Sequence, residues 1–209
     1  MSVMSFQDRR TLLAVLITLL IVFEMLAYVA TTPRPQEQFF QLYVLGAKRM
    51  AADYYPNNDT NIRLGEPVNW YLGVTDFMGS VQLVVIRVKL GSQTIPPPND
   101  TQATPSPAPL VIEFSRFIQN NETWEFPFVW QIANAVSVGN STRILELAIN
   151  NETYQLQDSA ATDGHNFRII IELWTWDTQY DKLQFGWQTG GEHRVAWLQL
   201  WFNATSTSR

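Results

Sequence analysis

Residues 11–30 form an unbroken apolar stretch in which Glu24 is the single charged side chain. At 1.5 Å per residue it covers about 30 Å, the thickness of a bilayer core. Backbone in lipid must satisfy its own hydrogen bonds, so the stretch reads as a helix. Arg9 and Arg10 precede it and favour an N-terminus inside the cell. Thr31, Thr32, Pro33 and Pro35 then end it. A cleaved signal peptide would carry a shorter apolar core, about 7–15 residues, and a small-x-small cleavage site. Tyr28-Val-Ala30 fits that site poorly. The expectation is a short cytoplasmic segment over residues 1–10, a transmembrane helix over 11–30 and an extracellular domain over 31–209.

Glu24 lies about 5 Å from the middle of that span at helical rise. An acid there costs roughly 2.5–3.5 kcal/mol on insertion scales. Helical periodicity groups it with Leu13, Ile17, Leu20 and Tyr28. Two readings follow. Either it is protonated or reaches the outer interface, or it pairs with a polar group on another membrane helix. The second makes the chain part of an oligomer or hetero-complex.

Six N-x-T triplets follow the apolar stretch, at Asn58, Asn99, Asn121, Asn140, Asn151 and Asn203. Chance at this composition supplies about two glycan acceptor triplets, N-x-[ST]. Such sites are modified on exposed backbone on the outer side of a membrane. Placement at the plasma membrane with the C-terminal domain outside follows. The chain has no cysteine, so disulfides, thiol catalysis and Cys-ligated metals are excluded. Net charge is −5, which offers nucleic acid no basic surface.

Beyond residue 38 the pattern is that of strands: 39–45, 68–74, 81–90, 110–118, 124–132, 143–149, 167–176, 182–187 and 195–202. These runs are rich in Val, Ile, Phe, Tyr and Trp. Ile86, Val88 and Leu90 alternate with Arg87 and Lys89, which implies one buried and one wet face. Gly79-Ser80, Gly139-Asn140, Asp163-Gly164 and Gly190-Gly191 punctuate the runs. The fold class is all-β: an antiparallel β-sandwich, Ig-like in the loose sense, on one N-terminal transmembrane helix. The Pro-rich loop 96–109 cannot pair in a sheet and is expected as an exposed, extended excursion, a plain surface loop or a strap on which a partner docks.

The segments Phe39-Phe-Gln-Leu-Tyr-Val-Leu-Gly46, 51–56, Gly65-Glu-Pro67 and Trp70-Tyr-Leu-Gly-Val74 carry a resemblance, as does the closing His193-Arg-Val-Ala-Trp-Leu-Gln-Leu-Trp-Phe-Asn-Ala-Thr205. Together they resemble the outer part of the archaeal membrane-protein family called domain of unknown function 1616, over roughly residues 38–205. Members of that family often carry several membrane helices, whereas this chain has one span. The resemblance implies an archaeal cell-surface setting and a β-rich outer domain. It transfers no catalytic residue.

No catalytic set stands out. His165 and His193 are the only histidines, and a metal site of this type needs three or four ligands. No metal site and no cofactor other than N-linked glycan is expected. The oxygen-rich stretch 53–61 fails the EF-hand pattern at Ile62 and Val68. Trp174, Trp176, Trp187, Trp197 and Trp201 fall on the last strands. They form an aromatic patch for a protein partner or a sugar if those strands are adjacent, and otherwise part of a Trp-rich core. The reading is a non-enzymatic surface glycoprotein of archaeal type, an accessory subunit that contacts other membrane or envelope proteins. The alternatives are a carbohydrate-binding or adhesion module and an accessory subunit of a metal-dependent membrane enzyme.

Overall fold

The computed structural model describes residues 6–32, 37–157 and 159–205. The chain forms two compact units, Met1–Glu37 and Gln38–Arg209.

The first unit is a helix, α1 (Phe6–Thr31). It begins at Phe6 rather than at residue 11, which takes Arg9 and Arg10 into the helix. The span from Arg9 to Thr31 is long and apolar enough to cross a membrane, and none of it is buried against protein. It fits a single-pass membrane anchor. Its threonines solve their polarity locally: Thr18 donates to the Ala14 carbonyl (2.9 Å) and Thr31 to that of Ala27 (2.7 Å). Glu24 is exposed on the helix surface, with no partner among the described residues. Pro33 and Pro35 lie outside the described residues.

The second unit is all β. In chain order its strands are β1 (Phe40–Leu45), β2 (Asn61–Arg63), β3 (Val68–Asp76), β4 (Gln82–Ser92), β5 (Leu110–Ile118), β6 (Thr123–Val138) and β7 (Ser141–Ile149). Then come β8 (Glu152–Gln155), β9 (Ala160–Thr162), β10 (Phe167–Asp177), β11 (Lys182–Phe185), β12 (Trp187–Thr189), β13 (Glu192–Arg194) and β14 (Trp197–Thr205). One sheet runs β1-β3-β6-β7-β8, with β9 also on β7. The other runs β2-β14-β10-β4-β5, with β11 on β10, and β12 pairs with β13. All pairs are antiparallel except β2 with β14. All nine expected runs are strands. The run 182–187 is broken at Gly186, whose φ is +81° and where a Cβ would collide with the Arg194 carbonyl. The short β2, β8, β9 and β13 carry too few apolar residues for alternation to reveal them.

The two sheets bury one core. In β4, Val84, Ile86, Val88 and Leu90 point inward, as the alternation requires. Trp70 and Trp130 are fully buried with ring centroids 5.3 Å apart, and Trp130 meets Phe202 of the opposite sheet at 4.8 Å. Each buried aromatic contributes about 2–3 kcal/mol, which serves a domain without disulfides. Tyr43 of β1 lies over Gly73 of β3, where a Cβ would occupy the ring's place. Both residues belong to segments that carried the family resemblance, so those segments are complementary faces of one strand pair.

The strand ends define two poles. At the near end the chain arrives at Gln38, whose amide donates to the Met78 carbonyl (2.9 Å). The β3–β4, β5–β6 and β10–β11 turns lie there too, since Gln82 is opposite Ile118 and Asp177 opposite Lys182. The far end holds the β6–β7 turn at Gly139-Asn140 and the β9–β10 turn. There the Ala204 amide donates to the Gly164 carbonyl (2.8 Å).

Candidate functional site

The outer face of the second sheet holds the chemistry. Residues 93–109 join β4 to β5 and contain the Pro-rich segment. They do not stand away from the domain as expected. They cross the outer face of β4, β10 and β14 as a strap, with Pro98, Ser106 and Ala108 buried. Proline lacks an N–H, so the strap adds no strand, yet its carbonyls still accept. Lys89 donates to the Ser106 carbonyl (2.6 Å), Arg168 Nη2 to that of Ile95, and the Ser106 amide donates to Glu172 Oε1 (2.7 Å). Trp197 Nε1 donates to Asp100 Oδ1 (2.5 Å).

Lys89 therefore corrects the alternation rule. Its side chain was assigned to the wet face and is instead enclosed, with Nζ 2.9 Å from Glu172 Oε2. Glu172 is wholly buried and also accepts from Trp174 Nε1 (3.0 Å). Every oxygen of that carboxylate is satisfied, which a buried charge demands. Arg87 stacks over Trp174 (4.0 Å to the ring centre) and Arg168 over Trp201 (4.7 Å). Burial moves the Arg168 guanidinium below its usual range.

The five candidate tryptophans do not form one patch. Trp187 is a core residue, edge-on to Phe40 at 5.3 Å, and is not presented to a partner. The cause is the turn at Gly186, which sends β12 to pair with β13 instead of continuing β11. Trp197 is half-buried and tied to the strap, while Trp201 lies under Arg168. Trp174 walls a cleft of about 360 Å³ with Tyr180, Phe185, His193 and strap residues Ala103 and Pro105. Trp176 borders a different space: an apolar groove of about 390 Å³ at the near end, with Val81, Leu83 and Phe117. Sequence reasoning missed Val81, Leu83 and Phe117 as a surface. The signal was present, because Leu83 and Phe117 have the opposite parity to core residues Val84 and Ile118.

Five of the six triplet asparagines are exposed, and each sits on a turn or on the strap: Asn58, Asn99, Asn121, Asn140 and Asn151. Asn58, Asn121 and Asn151 adopt positive φ, a conformation that asparagine tolerates in turns. Asn203 differs. It lies inside β14, half-buried, and its Nδ2 donates to Asn61 Oδ1 (2.9 Å) while its Oδ1 accepts from the Asn166 amide (3.0 Å).

The histidines lie on separate segments. His165 is exposed in the β9–β10 turn. His193 in β13 uses both nitrogens within the chain: Nε2 is 2.6 Å from the Phe185 carbonyl and Nδ1 2.8 Å from Gln188 Nε2. Nε2 must donate there, since a carbonyl only accepts. In the stretch 53–61, Asp53 pairs with Lys48 (3.0 Å), and Asp59 Oδ1 accepts from both nitrogens of Asn61. Among the described residues no cluster of three His, Asp or Glu side chains is placed to hold a metal.

No protein-family model and no curated protein matches this sequence. Among solved structures, the chain is similar to a β-glucosidase from Listeria innocua. With its glucose complex the identity is 12% over 79% of this chain, with a TM-score of 0.37. With a second structure of that enzyme it is 13% over 80%, also at 0.37. This chain spans 16% of the length of that enzyme.

Proposed function

We propose that this chain is a single-pass surface glycoprotein of archaeal type, with its β domain outside the cell. It works without catalysis, as an accessory subunit contacting other membrane or envelope proteins. The observation that carries the outward placement is the position of the glycan acceptors. The exposed five are distributed over turns and the strap. A contact role is supported by the apolar groove around Val81, Phe117 and Trp176, the kind of exposed aromatic surface that marks association.

The absence of cysteine makes sidedness directly measurable. Val138 is exposed at the far end. A single Val138→Cys should react with a membrane-impermeant maleimide on intact cells. Reaction only after permeabilisation would overturn the outward placement. Mass spectrometry of native protein should find glycan on the exposed asparagines and Asn203 bare, because its amide nitrogen is already committed to Asn61. Native-gel mobility of mildly solubilised membranes tests the subunit role: migration as a lone monomer would count against it.

One observation favours a second reading, a carbohydrate-binding module. The Trp174 cleft sets aromatic rings beside Gln184, Gln188 and Asp177, a platform and polar rim suited to stacking a sugar. Added oligosaccharides would then alter tryptophan emission in wild type and not in Trp174→Phe.

A further inference from the structure

Asp177, the last residue of β10, is a carboxylate that the fold holds in place without using up. It is 8% exposed. Its Oδ1 accepts from the Gln179 amide (2.8 Å) and the Tyr180 amide (3.2 Å). Its Oδ2 has no partner among the described residues and is not sealed off. Two cavities share this side chain. The β4–β10 pairing ends at Val84 opposite Thr175, and β10 runs on to Asp177 paired with β11. Where the strands part, a cavity of about 410 Å³ opens, walled by Gln82, Trp176 and Trp187. The Trp174 cleft, with Tyr180 and Lys182, is the other, at about 360 Å³. Asp177, Gln184 and Gln188 line both. Each has the size of a small-ligand site, and none of the triplet asparagines lines either one. Trp174 and Trp176 are two residues apart on β10, so their side chains leave one face of the strand about 7 Å apart.

The polar groups select the ligand. The Gln184 side chain has no partner among the described residues, and Gln188 is held at 2.8 Å by His193 Nδ1. Both offer neutral amides at the shared wall. Lys182 lines the same cleft as Asp177 and offsets its charge, which favours a neutral ligand over an ion. A hydroxyl donating to a carboxylate makes a short, charge-assisted bond, and aromatic rings supply apolar faces against which sugar rings pack. We infer that the two cavities form one cleft for a linear neutral oligosaccharide, with Asp177 Oδ2 accepting from a sugar hydroxyl at the shared wall. The inference rests on the carbohydrate-binding reading of the Trp174 cleft and gives that reading its ligand class.

The test is calorimetric titration of the full-length glycosylated chain in nanodiscs. The probes are hexasaccharides of β-1,4-linked glucose, β-1,4-linked mannose and α-1,4-linked glucose, their disaccharides, and hexagalacturonate. At least one neutral hexasaccharide should bind, about tenfold or more tighter than its disaccharide, and hexagalacturonate should not. Asp177→Asn keeps an oxygen for the two amides and should weaken the hexasaccharide about tenfold, the difference between a charged and a neutral acceptor. Gln184→Leu removes a group the fold does not use and should weaken it severalfold, which keeps the test independent of how Asp177→Asn folds. Trp176→Ser should bring the hexasaccharide down to the affinity of the disaccharide. Equal affinity for hexasaccharide and disaccharide, lost in Trp174→Phe, overturns the joined cleft and leaves the sugar reading of the Trp174 cleft standing. Binding of none of the probes removes both. Tighter binding of hexagalacturonate overturns the neutral class, and wild-type affinity in Asp177→Asn and Gln184→Leu overturns the shared wall as anchor.

Discussion

The outer face of the second sheet has two halves, and they treat polar and apolar groups in opposite ways. Under the strap, a lysine and a glutamate are sealed from water: Lys89 and Glu172 share contacts with Ser106 and Trp174. Toward the near end, where no strap reaches, Leu83, Phe117 and Trp176 line an open groove. The same pleated surface thus buries its charges and exposes its rings. Cover explains the strapped half, since charges survive burial only when every donor and acceptor is met. The bare half has no such cover within the domain, and its side chains await something else.

The largest effect should come from breaking the pair under the strap. Glu172→Ala leaves Lys89 enclosed without its anion and should lower unfolding free energy by about 3–5 kcal/mol, read by denaturant titration. Replacing both partners with apolar residues of similar volume should recover most of that loss. A single-variant loss under about 1 kcal/mol would mean that water reaches the pair and that the strap is not a seal.

Loosening the strap elsewhere should matter less. Trp197→Phe keeps the ring and removes the bond to Asp100, at a cost of about 1 kcal/mol. Proteolysis within residues 96–105 should accelerate in this variant if the strap is fastened along its length.

Asp76 gives a sharper contrast, a buried carboxylate without a cation. Its Oδ1 accepts from the Met78 amide (2.6 Å), and Oδ2 has no partner among the described residues. Burial raises its carboxyl above the usual carboxylate range. The folded state then holds this proton more tightly than the unfolded chain does. Asp76's contribution thus becomes more favourable as pH falls through the folded value and levels off below the unfolded one, about 3.9. Asp76→Asn should be more stable than wild type at neutral pH, and that advantage should shrink on acidification. Parallel stability curves for the two proteins would show that the carboxylate is solvated.

The smallest effect belongs to the bare half. Phe117→Ser removes an exposed ring and should change unfolding free energy by no more than about 0.5 kcal/mol. A loss of several times that would place Phe117 in the packed interior and end its role as a surface.

Much of the domain was legible because its signals are local. Alternation in 84–90 sets the inward residues of β4, and Trp70 and Trp130 sit where the apolar parity of their strands places them. Gly139-Asn140 and the other Asn-bearing turns follow from backbone preferences within a few residues. The tryptophans of the last strands were not legible as a site. Their surroundings depend on where Gly186 turns the chain and on what the strap covers, and neither leaves a mark in the period of a strand.

The sequence alone settled an apolar helix long enough to cross a bilayer, a β domain after it, and six N-x-T triplets. Each is written in runs of a few consecutive residues. Tertiary structure alone decided that Lys89 is dry, that Trp187 is core and that Phe117 is bare. Lys89 and Glu172 are 83 residues apart, and Ser106 and Glu172 are 66 apart. Whether a side chain meets water is a property of whatever lies over it, and that neighbour comes from a distant part of the chain.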